Sequence, residues 1–174
     1  MHTVYLSLGS NVGDRRRHLD DALDLLRAAG VTIVRVSRVY ETEPQDVRAQ
    51  PWFLNLVAEA ETRLFPLQLL HAAQRVERRL GRKRIVEKGP RIIDIDVLLF
   101  GNSVVETDEL QIPHRRMAQR RFVLEPLAEL RPDLRHPVTR QSMRQMLEGV
   151  MDQGARPLPE DHREDDARSG RADS

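Results

Sequence analysis

The sequence contains no cysteine, which excludes a disulfide framework, a thiolate zinc centre and a thiol nucleophile. The fold must therefore rest on its hydrophobic core, and a cysteine-free chain fits a reducing cytoplasm. Aromatic residues are scarce as well, at 4%, so a sheet that stacks nucleic-acid bases on exposed rings lacks its material. No run approaches the ~20 apolar residues that span a bilayer, and no basic leader precedes an apolar stretch near Met1, so neither membrane span nor targeting segment is expected. What remains is 174 residues, 40% of them hydrophobic, enough for one substantial core and one catalytic domain.

The net charge of +1 hides an uneven distribution. Residues 152–174 carry seven acids against four arginines, contain Pro157 and Pro159, and offer almost no large apolar side chain. Such a segment cannot bury enough surface to offset the entropy of ordering, so the expected division is a domain over 1–151 and a disordered charged tail over 152–174. From Arg75 to Arg91, eight basic residues stand against Glu77 and Glu87. That excess calls for a polyanionic ligand or, equally, for a solvated basic surface.

Periodicity supplies the elements. Thr3–Leu8 alternates as a strand, the Gly9–Asp14 turn and cap residues follow, and Leu19, Ala22, Leu23 and Leu26 share one helical face. Val31–Tyr40 and Phe53–Thr62 are strand-like on either side of the polar segment Glu41–Pro51. Pro66 suits a helix start, and the Leu69, Ala73, Val76, Leu80 stripe runs until Gly81. Ile92–Phe100 is a further apolar strand, broken by Gly101-Asn102 before a short hairpin return at Val104 and Val105. The order βαββαβ predicts an α+β fold with a ferredoxin-like sheet and two helices packed on it; Arg120–Leu130 and Ser142–Val150 predict additional C-terminal helices.

The sharpest chemical signal is Gly89-Pro90-Arg91-Ile92-Ile93-Asp94-Ile95-Asp96. Strand alternation puts Asp94 and Asp96 on the same face, and two adjacent like charges in an apolar strand need a compensating cation. A hard divalent ion such as magnesium, shared with nucleotide phosphates, supplies one; a solvated strand end is the plainer alternative. Gln74 and Glu77 sit three apart on a helical face outside the apolar stripe, available to a nucleotide or simply to solvent. Arg82 and Arg84 follow the helix end, where guanidiniums can swing onto phosphates or just line a basic loop. His114 follows a proline among Arg115, Arg116, Arg120 and Arg121. Phe53, Asn55 and Phe122 suit a heterocycle site as well as they suit a core.

Taken in order, Leu8-Gly9-Ser10-Asn11-Val12-Gly13, Tyr40-Glu41-Thr42-Glu43-Pro44, Phe53-Leu54-Asn55, Gly89-Pro90-Arg91 with Asp94-Ile95-Asp96, Ile112-Pro113-His114 and Arg120 to Leu127 resemble 6-hydroxymethyl-7,8-dihydropterin pyrophosphokinase over about Val4–Val150. The resemblance implies a ferredoxin-like α+β enzyme of folate biosynthesis that binds MgATP, then the pterin, and moves the β,γ-pyrophosphoryl unit onto the hydroxymethyl oxygen, releasing AMP. By position it implies that Asp94 and Asp96 hold two magnesium ions, with Arg82 and Arg91 beside them in catalysis. It implies that Gln74 and Glu77 line the nucleotide site and that Arg84, His114 and Arg120 contact phosphates. Phe53 and Phe122 would sandwich the pterin, while Asn55 and the Thr42-Glu43 backbone read its polar edge. The Gly9–Gly13 loop lacks the Gly-Lys-Ser/Thr ending of a P-loop and takes a structural role. Lys88, Glu109 and Arg115 depart from the aromatic, basic and tyrosine residues frequent in that family, which touches the lid and nucleotide site.

ATP and the pterin are the expected partners, with no nucleic acid, membrane or obligate protein partner. A ferredoxin-like RNA-binding module is the main alternative, weakened by the missing aromatic platform. A metal-dependent phosphatase or nuclease would use the same acids but leaves Phe53, Asn55 and Phe122 unexplained.

Overall fold

Alternation along the first strand sets the architecture: Val4, Leu6 and Leu8 point to one side of the sheet and Tyr5 and Ser7 to the other, all of them buried. A strand buried on both faces needs cover on both. The computed structural model describes residues 1–81 and 90–159 and provides that cover.

Strand β1 (His2–Ser10), helix α1 (Arg15–Ala28), strands β2 (Val31–Val36), β3 (Tyr40–Thr42) and β4 (Phe53–Thr62), helix α2 (Pro66–Arg79) and strand β5 (Asp94–Phe100) form the βαββαβ frame. The strands pair antiparallel in the order β5-β1-β4, and both β2 and β3 then pair with β4. Read as one interrupted strand, β2 and β3 complete the ferredoxin-like order. The expected single strand over 31–40 is thus split: β2 pairs with the Thr62 end of β4 and β3 with the Phe53 end. Between them the Ser37 hydroxyl accepts the Val57 amide and the Ser37 amide donates to the Val57 carbonyl.

Helices α1 and α2 cover the first face. Leu19, Ala22, Leu23 and Leu26 of α1 and Leu69, Ala73 and Val76 of α2 pack against Leu6, Leu8, Leu56 and Ile95. Each fully buried leucine contributes roughly 1.5–3 kcal/mol over its exposed state, so a Leu6→Ala change would open a cavity at the centre of this layer. Asp14 caps α1 by accepting the Arg17 amide at 3.2 Å. Gly81, at φ +82°, ends the α2 segment in the left-handed region that glycine adopts without strain.

Helices α3 (Arg121–Leu130) and α4 (Met143–Glu148) cover the second face, where Val123, Leu124, Leu127, Met143 and Met146 pack on Tyr5, Val57, Leu98 and Leu99. The C-terminal helices therefore make a third layer. They also cover the sheet face that a base-stacking RNA module would expose.

Two expectations are corrected. The residues near Val104 do not return onto β5; β6 (Val105–Glu106) pairs with β7 (Gln111–Ile112) as a separate ribbon. The domain does not stop at 151, because β8 (Ala155–Pro157) pairs with β3 and extends the main sheet. Backbone pairing holds this stretch, with half-buried Leu158 packed against the core. Gly154 and Glu43 exchange hydrogen bonds, Leu158 donates to the Val39 carbonyl at 2.9 Å, and Arg156 pairs with Glu41. Residues 160–174 of the expected tail lie outside the described residues. No helix among the described residues is long and apolar enough to cross a membrane.

Candidate active site

The second face is covered by α3 only part of the way. Beyond the start of α3, the same alternation that buries Tyr5, Val57 and Leu98 brings up Ser7 and Gly9 on β1, Asn55 on β4, and Asp94 and Asp96 on β5. Asp94 lies opposite Gly9 and Asp96 opposite Ser7 in the β1–β5 register. These residues floor a cleft walled by Glu43, Pro44, Gln45, Asp46 and Gln50 on one side and Arg91, Arg120 and Phe122 on the other. It continues into a wider hollow lined by Leu70, Glu109, Gln111, His114, Arg115 and Arg116.

Both acids are half-buried. Asp94 accepts from Arg91 Nη1 at 3.0 Å, and His114 Nε2 lies 3.9 Å from Asp96 Oδ1. Arg91 is itself held by Asn11, whose Oδ1 accepts the Arg91 amide at 2.7 Å and whose amide donates to the Arg91 carbonyl at 3.0 Å. The Asn11 Nδ2 reaches Gln50 Oε1 and the Pro51 carbonyl. One buried asparagine thus ties the β1 end, the 43–52 segment and Arg91 together. Arg91 Nε is buried with no hydrogen-bond partner among the described residues, a donor the protein leaves for something else.

Burial lowers the His114 pKa to about 4, with Arg120 adding repulsion and Asp94 opposing it. The ring is therefore neutral near pH 7; its Nδ1 accepts the Arg116 amide at 3.2 Å, which leaves Nε2 as the N–H donor. Burial also pushes Arg120 downward, while Asp96, Asp46 and Asp94 hold it up; a guanidinium in that balance remains cationic. Its carbon sits 5.2 Å from the centre of the Phe122 ring.

On the cleft floor, Asn55 is buried and donates from Nδ2 to Thr42 Oγ1 at 2.5 Å. Its Oδ1 lies 2.5 Å from where a Cβ on Gly9 would stand, so the glycine is required by close approach. Phe53 and Phe122 line the cleft from β4 and α3. The Glu43 backbone is already engaged: its amide donates to Gly154 at 3.1 Å and its carbonyl accepts from Gln45 Nε2 at 3.2 Å. The amide is thus taken up within the chain, while the carbonyl, with one donor, keeps a second lone pair.

Glu77 is not on a solvent-facing helical row. It is buried, and its Oε2 accepts the Ile95 amide at 3.1 Å, which pins α2 to the strand between the two aspartates. Its four-residue spacing from Ala73 places it beside the apolar stripe, where its charge hid it from a hydrophobicity pattern. Gln74 is half-buried on the same helix and lines neither hollow. Arg82, Arg84 and Lys88 lie outside the described residues. Gly9, Asn11 and Asp46 were not singled out as site residues by the sequence; the Gly9–Gly13 turn pattern was visible, but its contact with Asn55 and Arg91 depends on strand register.

Asp94 and Asp96 offer hard carboxylate oxygens, and no cluster of three or more His, Cys, Asp or Glu side chains occurs among the described residues. Such a pair fits a magnesium ion whose remaining ligands are water and a bound polyphosphate, and not a cage built wholly of protein.

Residues 5–132 match the model of the 7,8-dihydro-6-hydroxymethylpterin-pyrophosphokinase family. The chain belongs to this family. It is 48% identical over 128 residues to the 2-amino-4-hydroxy-6-hydroxymethyldihydropteridine pyrophosphokinase of Bacillus subtilis, covering 73% of this chain and 77% of that protein. It is 44% identical over 154 residues to the folic acid synthesis protein fol1 of Schizosaccharomyces pombe, covering 88% of this chain and 21% of the relative. The chain thus spans about a fifth of the length of such fungal relatives. A crystal structure of Plasmodium falciparum HPPK-DHPS with pteroate shares the fold at a TM-score of 0.71 and 17% identity, over 85% of this chain and 44% of that one.

Proposed function

We propose that the protein transfers pyrophosphate from ATP to the hydroxymethyl group of 6-hydroxymethyl-7,8-dihydropterin, giving AMP and the pterin diphosphate in folate biosynthesis. One observation carries this beyond family membership: the strand-borne pair Asp94 and Asp96, with Arg91 and Arg120, shares a single cleft with Phe53, Asn55 and Phe122. An acid pair and arginines suit a polyphosphate, and rings with a buried amide suit a flat polar heterocycle. Their common cleft brings the two ligands within reach of one another.

Members of this family use MgATP, and here Asp94 and Asp96 would hold the magnesium, two ions on our reading. Bound magnesium offsets the negative charge of the triphosphate and polarises its phosphoryl oxygens. The chain's own residues align and neutralise. Arg91, fixed through Asn11, and Arg120, at the start of α3, present N–H donors to phosphate charge. Neutral His114 adds an Nε2 donor. The hydroxymethyl oxygen forms its bond to the β-phosphorus and gives up its proton to solvent, while the bond from the β-phosphorus to the α–β bridging oxygen breaks and that oxygen leaves with AMP. Phe53 and Phe122 hold the pterin, and Asn55, braced by Thr42, reads its edge. Gln74, Glu77, Arg82 and Arg84 belong to the nucleotide side on this reading, Glu77 by fixing β5. The reaction requires no nucleic acid or protein partner, and a cytoplasmic setting suits the cysteine-free chain.

The test is chromatography of the products formed from ATP, magnesium and 6-hydroxymethyl-7,8-dihydropterin. The expected result is AMP and pterin diphosphate in equal amounts, only when both substrates are present. Phosphate or ADP release that is indifferent to the pterin would point instead to a metal-dependent phosphatase.

A further inference from the structure

Asp46 stands in the 43–52 connection and lines both the cleft and the hollow beyond it. Its two carboxylate oxygens face two different arginines across the opening. Arg116 Nη2 donates to Oδ1 at 3.1 Å, and Arg120 Nη2 lies 4.0 Å from Oδ2. Arg120 is only 15% exposed at its side chain, so few anions can reach it except through this opening. A carboxylate hydrogen-bonded to one guanidinium and within ion-pair distance of a second takes the place that phosphate oxygens would take. Arg120 also faces Asp96, so this guanidinium links the loop acid to the strand acids.

We propose that Asp46 is an affinity-determining residue of the nucleotide site, an internal competitor that a bound triphosphate displaces from Arg116 and Arg120. The inference rests on the reading that this cleft receives MgATP. An ion pair formed within the chain in the ligand-free protein subtracts from binding, because the incoming phosphates must first break it. Removing the carboxylate while keeping the shape of the side chain therefore tightens polyphosphate binding, and it leaves a ligand without phosphates unaffected.

The experiment is calorimetric titration of the full chain and of Asp46→Asn with magnesium α,β-methylene-ATP, magnesium tripolyphosphate and adenosine. The expected result is a dissociation constant about three- to tenfold lower in Asp46→Asn for the first two ligands, the scale of one or two partly exposed ion pairs, with adenosine unchanged. In an Arg116→Ala background the gain shrinks, since the nearer partner is gone. Unchanged or weaker polyphosphate binding in Asp46→Asn overturns the proposal, the latter by making Asp46 part of the ligand site. A gain undiminished by Arg116→Ala also overturns it, because a general field and not the pairing would then be responsible. If tripolyphosphate shows the gain while the nucleotide binds neither protein, the competitor stands and the ATP reading falls. If no ligand binds either protein, both fall.

Discussion

One sheet face carries two polar clusters, and they are built to opposite ends. Under α3, Glu59 of β4 is 3% exposed at its side chain and fully bonded. Tyr5 donates to Oε1 at 2.8 Å, Arg35 to Oε2 at 2.8 Å, and Arg131 to Oε1 at 2.9 Å. Four residues along the same strand, past the end of that cover, Asn55 looks into the cleft with Asp94 and Asp96 beside it. There Arg91 has a buried Nε without a hydrogen bond among the described residues, and the aspartates stand in adjacent positions on one face. A buried acid whose partners saturate it fastens layers together; a buried group with capacity left over is available to a ligand. The difference lies in where α3 begins, at Arg120 and Phe122, and not in the kinds of residue used.

The comparison breaks first if the open cluster proves dispensable. Asp94→Ala or Asp96→Ala should lower pterin-dependent AMP release by about 10³-fold, the scale for removing electrostatic support from phosphoryl transfer, with the far-ultraviolet spectrum unchanged. The closed cluster should behave in the reverse way. Glu59→Ala leaves two arginines facing each other and a buried tyrosine hydroxyl unpaired, so urea unfolding should show a loss of about 3 kcal/mol, while kcat of the folded fraction stays near that of the parent.

Chain truncation sharpens the border between the two regions. Ending the chain at 151 removes β8 with its bonds to Glu43 and Val39 and the Gln153 contacts to Arg121. The expected cost is about 2 kcal/mol in urea unfolding, a few net hydrogen bonds, together with a raised KM for the pterin. Ending it at 159 should change neither, since 160–174 offers no large apolar side chain to pack. Within the cleft, Phe122→Ala should raise the pterin dissociation constant about tenfold, the worth of a ring stack, with little change in ATP affinity by titration.

Most of the frame was legible because it rests on periodicity. The α1 and α2 stripes, the strand alternation and the caps are local properties, and so is the shared face of Asp94 and Asp96. Family membership followed from the ordered motifs. What escaped depends on chain path. The split of β2 from β3 reflects the Ser37 bonds to Val57, a partner twenty residues away. The pairing of β8 uses backbone groups that composition cannot rank, so composition gives this polar stretch as a tail. Asn11 and Asp46 act only because loops distant in sequence meet at the cleft. The bond from Glu77 to the Ile95 amide is not legible either, because a carboxylate that accepts a strand amide looks, in sequence, like one facing water or a ligand.

The smallest expected effect is a pH dependence. Burial pushes the Glu59 carboxyl upward, but hydrogen bonds from Arg35, Arg131 and Tyr5 outweigh it and hold the pKa below the ordinary value. A folded pKa lower than the unfolded one contributes stability above the unfolded value, ~4.3 for a glutamate, and loses it as pH falls through the folded value. The stability gap between the parent and Glu59→Gln should therefore be constant from neutral pH down to about 5 and close at lower pH. Unfolding curves across that range check it.

The most direct measurement is thermal unfolding of the parent, Asp96→Asn and Glu59→Gln, each with and without magnesium α,β-methylene-ATP. Asp96→Asn should remain folded without ligand, and the ligand should no longer raise its Tm. Glu59→Gln should melt several degrees lower, by roughly 2–4 °C per kcal/mol lost, and keep the full ligand-induced rise. An Asp96→Asn protein that keeps the ligand response, or a Glu59→Gln protein that loses it without melting earlier, would contradict the division between a saturated cluster that holds the fold and an open one that takes the ligand.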